Sequence, residues 1–352
     1  MTADTAPTAT TVPVGAARVD VDLGERSYPV HIGAGVRHRL TGVLAGLGAR
    51  KAVVVSARPR SLLPETGLPT LHLPARDGEE DKSLATVERM CRAFADYGLS
   101  RADAVVSVGG GTTTDSVGLA AALYHRGLPV VHLPTTLLAQ VDASVGGKTA
   151  VNLPQGKNLV GQYWQPSAVL CDTDFLGTLP EREWRNGYGE IARAHFIGTG
   201  DLRGRPLVEQ IAASVACKAR IVAADERDAS LRHILNYGHT LGHALERATG
   251  FALRHGEAVA IGTVFAGRLA GALGRIDAAR VAEHEEVVRD YGLPTRLPAG
   301  VRDAELVALM RLDKKAMTDL SFVLSGPHGP ELVSSVPEEV VLRVLARMPR
   351  QD

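Results

Sequence analysis

The feature that most constrains this chain is a change of rhythm near residue 180. Between residues 51 and 172 short apolar runs alternate with amphipathic stretches, and after Pro180 the strand signals fade. The runs KAVVVS (51–56), PTLHLP (69–74), ADAVVSV (102–108), PVVHL (129–133) and AVLCD (168–172) have the length and β-branched content of buried strands. Between two of them, residues 83–97 set Leu84, Val87, Met90, Cys91 and Phe94 at helical spacing. Alternation of this kind predicts an α/β domain with a largely parallel sheet covered by helices. Residues 181–286 read almost wholly as Ala-rich amphipathic helix, so a second, mostly α-helical domain is the simplest account. We expect a tail at 1–16, an α/β domain at 17–179 and a helical domain at 180–352.

The ends add smaller elements. Residues 17–31 hold two alternating runs around Gly24-Glu25, the pattern of a β-hairpin. LSFVLSG (320–326) and ELVSSV (331–336) allow a short strand pair, followed by a closing helix at 337–348. Residues 1–16 are rich in Thr, Ala and Pro, with neither a basic start nor an apolar core, and read as a disordered tail rather than a targeting segment. The most apolar later run, 258–274, is interrupted by Arg268 and is too short to span a bilayer.

Charge excludes some partners. The 39 Lys and Arg residues balance the 39 Asp and Glu residues, so no global field favours nucleic acid or an anionic membrane, and any anion site must be local. Cys91, Cys171 and Cys217 lack paired spacing, which argues against a disulfide framework or a Cys-based zinc site and fits idle thiols in a reducing cytoplasm.

The densest polar stretch is PTTLLAQVDASVGGKTAVNLPQGKN (134–158), which shows few helix or strand signals. Gly146-Gly147 permits close backbone approach, and Lys148 and Lys157 are point cations suited to phosphate or carboxylate, so we expect an anion-binding loop. Gly147-Lys148-Thr149 resembles the end of a P-loop, but Asp142 stands where the first glycine is needed, which excludes that reading. GGGTTTD (109–115) follows a strand and precedes a helix expected from about Thr114. A tight strand–helix turn and a pyrophosphate site fit this string equally, and Asp115 could simply favour the helix dipole.

Downstream, Leu207, Ile211, Val215 and Val222 form one helical stripe with Lys218 inside it. A lysine so placed snorkels outward, the commoner outcome, or reaches an interior anion. His239 and His243 stand at i and i+4 in LNYGHTLGHALERA, with Asn236 nearby, and His255 follows in LRHGEAVA. On pattern alone, structural histidines and a metal site both stay open. Two histidines and a carboxylate would leave a coordination position for substrate, and Glu190, beside Gly187 and Gly189, is the best upstream candidate.

Taken together, DGEEDK (77–82), GGGTTTD, the 134–158 stretch, DTDFLGTLPERE (172–183), ADERDASLR (224–232), LNYGHTLGHA and RHGEA resemble the 3-dehydroquinate synthase family of sugar phosphate cyclases, from about Arg18 to the C-terminus. The resemblance implies a Rossmann-like NAD-binding N-terminal domain, a helical metal-binding C-terminal domain and an active site between them. It implies that NAD meets Asp77, Glu79, Lys82, Gly111, Thr112, Thr113, Thr114, Asp115, Thr135, Thr136, Lys148, Lys157, Phe175 and Thr178. Zinc or cobalt would be bound by Glu190, His239 and His255, with His243 a proton-relay residue rather than a ligand. Substrate would meet Asp142, Lys148, Asn158, Arg193, Lys218, Asp228, Arg232, Asn236 and one of Lys314 or Lys315, and in a homodimer Arg126 would reach the partner's substrate phosphate. The implied reaction takes 3-deoxy-D-arabino-heptulosonate 7-phosphate to 3-dehydroquinate through transient oxidation by NAD, loss of phosphate, reduction and an intramolecular aldol, as in the shikimate pathway.

Two positions depart from the family's usual pattern. Arg193 replaces a lysine, and Asp228 stands where glutamate is common. GEIARAHFIG and ALRHGEAVAIG resemble the aminodehydroquinate synthases, which act on an amino analogue in antibiotic biosynthesis. Polyol dehydrogenases share the glycine turn and histidine-rich helices but have no need of Lys148, Lys157 and Asn158. A non-catalytic homologue should have lost one of Glu190, His239, His255 or Lys148, and all four are present.

Overall fold

A computed structural model describes residues 15–313 and 320–351. The expected tail lies outside these residues except for Gly15 and Ala16, as do Lys314 and Lys315. The strands are β1 (Ala17–Val21), β2 (Tyr28–Gly33), β3 (Ala52–Ser56), β4 (Thr70–Pro74), β5 (Ala104–Gly109), β6 (Val130–Pro134), β7 (Lys148–Leu153), β8 (Gly156–Tyr163), β9 (Ala168–Asp172), β10 (Phe322–Gly326) and β11 (Gly329–Val333). The helices are α1 (Leu40–Gly46), α2 (Leu84–Asp96), α3 (Gly111–Leu123), α4 (Glu181–Ala194), α5 (Leu207–Ala224), α6 (His239–Ala248), α7 (His255–Ala272), α8 (Ala278–Asp290), α9 (Asp303–Asp313) and α10 (Glu338–Arg347).

Among the described residues, seven strands form one sheet in the order β1-β2-β9-β6-β5-β3-β4. Only the β1–β2 hairpin pairs antiparallel, and every other neighbour is parallel. β3, β5, β6 and β9 are buried throughout because helices cover both faces. β4 was expected to be buried too, but it is the edge strand and only half-buried. The C-terminal half is the expected set of helices, with α7 at its centre and the β10–β11 pair packed against it. None of the described helices is long and apolar enough to cross a membrane.

Three elements differ from expectation in ways that shape the site. The 134–158 stretch is not an open loop: a π-turn at Ala139–Ala143 leads into the β7–β8 hairpin. Glycines at positive φ, Gly146 and Gly147, end the turn and start that hairpin. α3 begins at Gly111, three residues earlier than predicted, because Gly110 has extended backbone and serves as N-cap. Finally α5, which follows the proposed boundary near residue 180, packs its Ile211, Val215 and Val222 against Val30, Ile32 and Val169 of the sheet. The boundary separates strands from helices along the chain, while the packing interleaves the two halves.

Candidate active site

Glu190 lies one turn from the C-terminal end of α4, His239 is the first residue of α6, and His255 is the first residue of α7. They meet because glycines let the backbones of α4 and α7 touch. A Cβ on Gly189 would sit 2.3 Å from the Gly256 carbonyl oxygen, and one on Gly256 would sit 1.9 Å from that of Asn186. The Gly256 N–H also donates to Asn186 Oδ1 at 2.7 Å. At this crossing Glu190 Oε1 lies 3.2 Å from His255 Nε2 and 3.6 Å from His239 Nε2. One donor atom from each of the three residues falls within 4.8 Å of the others.

These groups fit a divalent cation. Glu190 is 1 % exposed, yet neither of its carboxylate oxygens takes part in a hydrogen bond of normal geometry. His239 Nδ1 donates to the Tyr237 carbonyl at 3.1 Å, a tautomer that turns the Nε2 lone pair toward Glu190. One carboxylate oxygen and two imidazole nitrogens are a donor set for zinc or cobalt, with a position left for a substrate oxygen. The titration behaviour has the same sense. Burial would raise Glu190, but the charge of Arg193 outweighs it and holds the carboxyl at about 2. Burial pushes His239 down to about 3. Burial would also depress His255, but the adjacent carboxylates of Glu190 and Glu246 raise it to about 10. Glu190 is thus held ionised and His239 neutral, the forms in which each can bind a cation.

A second cluster adjoins the first. Lys218 does not snorkel: it is 8 % exposed, and its ammonium lies 2.8 Å from Asp142 Oδ1 and donates to the Asp142 carbonyl at 2.6 Å. Position on an apolar stripe could not decide this, since the anion it meets is supplied by the π-turn 76 residues upstream. Arg193, 4 % exposed, donates from Nη2 to Asp142 Oδ1 at 3.2 Å and from Nη1 to the Leu235 carbonyl. Its Nε also forms an ion pair with Glu190 Oε2 at 2.5 Å. Burial would raise the Asp142 carboxyl, but Lys218 and Arg193 overcome it and hold the group well below the usual range. Two cations against two carboxylates leave this set neutral, so an added divalent ion would give it a net positive charge that suits an anionic ligand.

The β7–β8 hairpin reaches across to the helical half. Lys148 Nζ lies 2.6 Å from Asp228 Oδ2, and Asp228 Oδ1 lies 3.0 Å from His233 Nδ1. Lys157 Nζ is 3.3 Å from Glu246 Oε1 and 4.2 Å from the centroid of the Phe251 ring. Arg232 is engaged with backbone, donating to the Gly146 carbonyl at 2.7 Å and the Glu226 carbonyl at 2.6 Å. His243 sits one turn beyond His239 on α6, with ring centroids 5.4 Å apart. Asn158 and Asn236 are exposed. Arg126 is also exposed, at positive φ just after α3. Glu246 was missed by sequence reasoning. It follows His239 by seven residues and His243 by three, so the same helical stripe carries all three, which was a usable signal.

Of the expected NAD residues, Gly111 to Asp115 open α3, Thr135 bonds to the β5–α3 turn and Lys82 pairs with Asp115, whereas Lys148 and Lys157 reach the helical half. No side chain caps α3, so the backbone N–H groups of its first turn have no side-chain acceptor, the arrangement that suits an anion. Asp115 is not a dipole ornament: it forms an ion pair with the buried Lys82 at 2.6 Å. The Thr135 N–H donates to the Gly109 carbonyl, and Thr136 Oγ1 accepts from the Ala139 N–H. Asp77 pairs with Arg58, Glu79 accepts from Asn152, Phe175 is buried in the sheet core, and Thr178 donates to the Phe175 carbonyl.

Comparison with known proteins agrees with this arrangement. The models for the 3-dehydroquinate synthase N-terminal and C-terminal regions match residues 72–186 and 187–316. The chain is 71 % identical over 334 residues, 95 % of each chain, to a protein of Amycolatopsis mediterranei (strain S699) provisionally named an aminodehydroquinate synthase. It is 44 % identical over 359 residues to the 3-dehydroquinate synthase of Nitrobacter winogradskyi (strain ATCC 25391), covering 92 % of this chain and 94 % of that one. Among solved structures, a 2-deoxy-scyllo-inosose synthase complexed with carbaglucose-6-phosphate, NAD+ and Co2+ superposes with a TM-score of 0.84 at 26 % identity, covering 94 % of this chain and 100 % of that one. The 2-epi-5-epi-valiolone synthase of Streptomyces hygroscopicus subsp. jinggangensis 5008, with NAD+ and Zn2+ bound, gives 0.77 at 28 % identity, covering 92 % and 97 %. With both halves matched in order and the buried carboxylate and histidines brought together, the chain belongs to the 3-dehydroquinate synthase family of sugar phosphate cyclases.

Proposed function

We propose that this chain is an aminodehydroquinate synthase, which closes the ring of the amino analogue of 3-deoxy-D-arabino-heptulosonate 7-phosphate and releases phosphate. The observation that carries the choice is the 71 % identity, over 95 % of both chains, with the Amycolatopsis protein, against 44 % with the Nitrobacter 3-dehydroquinate synthase. The hydroxy substrate is the second reading, favoured by the family models themselves.

In this reading Glu190, His239 and His255 hold a divalent zinc or cobalt ion, and the β5–α3 turn with Lys82, Asp115, Thr135 and Thr136 holds NAD. When bound, NAD supplies transient oxidation and reduction, and the metal supplies polarisation of the alcohol and ketone oxygens. The protein's own side chains orient and neutralise. Lys148, whose side chain is 47 % exposed, is free to exchange Asp228 for a substrate oxyanion. Lys218 and Arg193 hold Asp142 ionised beside the metal residues, so that it can accept a substrate hydroxyl proton in a hydrogen bond. His243, one turn from His239, carries the proton that leaves the substrate hydroxyl. Lys157 and Asn158 close the hairpin over the ligand, and Arg232 keeps the Gly146 turn in place.

The test is turnover of the two substrates side by side, with NAD and zinc or cobalt, followed by phosphate release. We expect a higher kcat/KM for the amino substrate and no accumulation of NADH with either one. A preference for the hydroxy substrate would transfer the assignment to 3-dehydroquinate synthase. Absence of phosphate release from both would overturn the cyclase activity.

A further inference from the structure

Glu246 is a buried carboxylate to which no role has so far been attached. It is 6 % exposed, on the face of α6 that carries His239 and His243. Its Oε2 lies 3.2 Å from His255 Nδ1, and its Oε1 lies 3.3 Å from Lys157 Nζ on β8. His255 therefore has one ring nitrogen against Glu246 and the other, Nε2, 3.2 Å from Glu190 Oε1.

We propose that Glu246 is a positioning residue: it holds the His255 ring so that Nε2 faces Glu190, and it ties that ring to the β7–β8 hairpin through Lys157. This rests on the reading of Glu190, His239 and His255 as metal ligands. A neutral imidazole carries one N–H, and only the nitrogen without it can bind a metal. An acidic acceptor at Nδ1 selects the tautomer with the lone pair on Nε2 and increases that nitrogen's basicity. His239 has its equivalent acceptor in the Tyr237 carbonyl, so each histidine of the trio is held from behind at Nδ1. The two acceptors differ in kind. The carbonyl is fixed by the backbone, whereas Glu246 is a side chain shared with a lysine from the other half of the molecule. The chain Lys157–Glu246–His255 is thus a direct polar link from the hairpin to the metal residues.

The competing roles for Glu246 are a purely structural ion pair with Lys157, or ligation of a second cation with His243 and His255, whose donor atoms also lie within 4.8 Å of one another. Metal-depleted full-length protein is titrated with Zn2+ and with Co2+ against a chromophoric chelator. For Glu246→Gln we expect affinity weaker by about 10–100-fold, with a shifted Co2+ absorption spectrum. Glu246→Asp, which keeps the charge with a shorter reach, should fall between Gln and wild type. In wild-type metal-loaded protein labelled with 15N-histidine, His255 should carry its proton on Nδ1, a readout that needs no variant to fold. Unchanged affinity and an unchanged Co2+ spectrum in Glu246→Gln would overturn the proposal, as would a proton on Nε2 or two metal ions per chain. A wild-type chain that binds no metal would overturn the ligand reading and this inference with it. Normal wild-type binding with an unaffected Glu246→Gln would overturn this inference alone. None of these measurements depends on which substrate is preferred.

Discussion

Arg193 holds two carboxylates at once, the buried Glu190 and the half-buried Asp142, and its planar fork explains why one residue can do so. Nη2 reaches Asp142, Nε faces Glu190, and Nη1 reaches the Leu235 carbonyl. Removing it strands negative charge in a site nearly closed to water. Arg193→Ala should therefore destabilise the metal-free protein by roughly 3–5 kcal/mol, read as a fall in the urea midpoint. His132 offers a separate test, well away from Glu190, His239 and His255 in sequence. It is buried in β6 with Nδ1 2.7 Å from Ser107 Oγ, and burial lowers it to about 4. The unfolded chain, with an ordinary pKa near ~6.5, then binds more protons than the folded chain between about pH 6.5 and 4. Stability should fall with acidification across that window, by roughly 3 kcal/mol from this residue. His132→Asn should show a shallower dependence of the urea midpoint between pH 7 and 4.5. The identities of such residues are plain in the sequence, but their charge states are not, because neighbours far along the chain set the dielectric and the partners.

At the scale of elements, the site depends on how closely α4 and α7 approach. Gly189 and Gly256 permit backbone contact, which sets the separation between Glu190 and His255. A Cβ at position 256 would meet the backbone of Asn186, which has no side-chain freedom with which to yield. Gly256→Ala should therefore spread the helices, lowering stability by about 1–3 kcal/mol and lowering metal affinity as well. Thermal unfolding with and without metal, together with metal titration, measures both effects. The elements themselves were mostly legible from period and turn chemistry. β3, β5, β6, β9, α2 and the β1–β2 hairpin fall where apolar spacing puts them. The exceptions have physical causes. The β7–β8 hairpin escaped notice because its burial is patchy and it packs on α3 rather than alternating over a continuous core. The start of α3 was set too late because Gly110 and Gly111 weaken any helical signal although Gly110 is a serviceable N-cap.

At the scale of the whole molecule, the two halves meet through side chains rather than through a continuous sheet. Lys218 to Asp142, Lys148 to Asp228, Lys157 to Glu246 and Arg232 to Gly146 all join the N-terminal half to the C-terminal half. A homodimer is expected from the family resemblance, and in it Arg126, exposed after α3, would face the partner's substrate. Sedimentation of the full-length protein should give twice the chain mass of 37.2 kDa, and Arg126→Ala should raise KM for the sugar phosphate more than it lowers kcat. A monomer that turns over normally would remove Arg126 from the site.

The sequence by itself determined most of the strands and helices, the family and most of the polar residues of the site, because period, glycine placement and linear motifs are local properties of the chain. Only the tertiary structure decided that Lys218 points inward, that Asp115 meets Lys82, that Arg193 joins Asp142 to Glu190, and that Glu246 stands behind His255. Local spacing does not specify these pairings, because direction and partner at a buried polar group depend on which distant backbone is packed against it. Here the deciding contacts are the close crossing of α4 with α7 and the return of the β7–β8 hairpin onto α6.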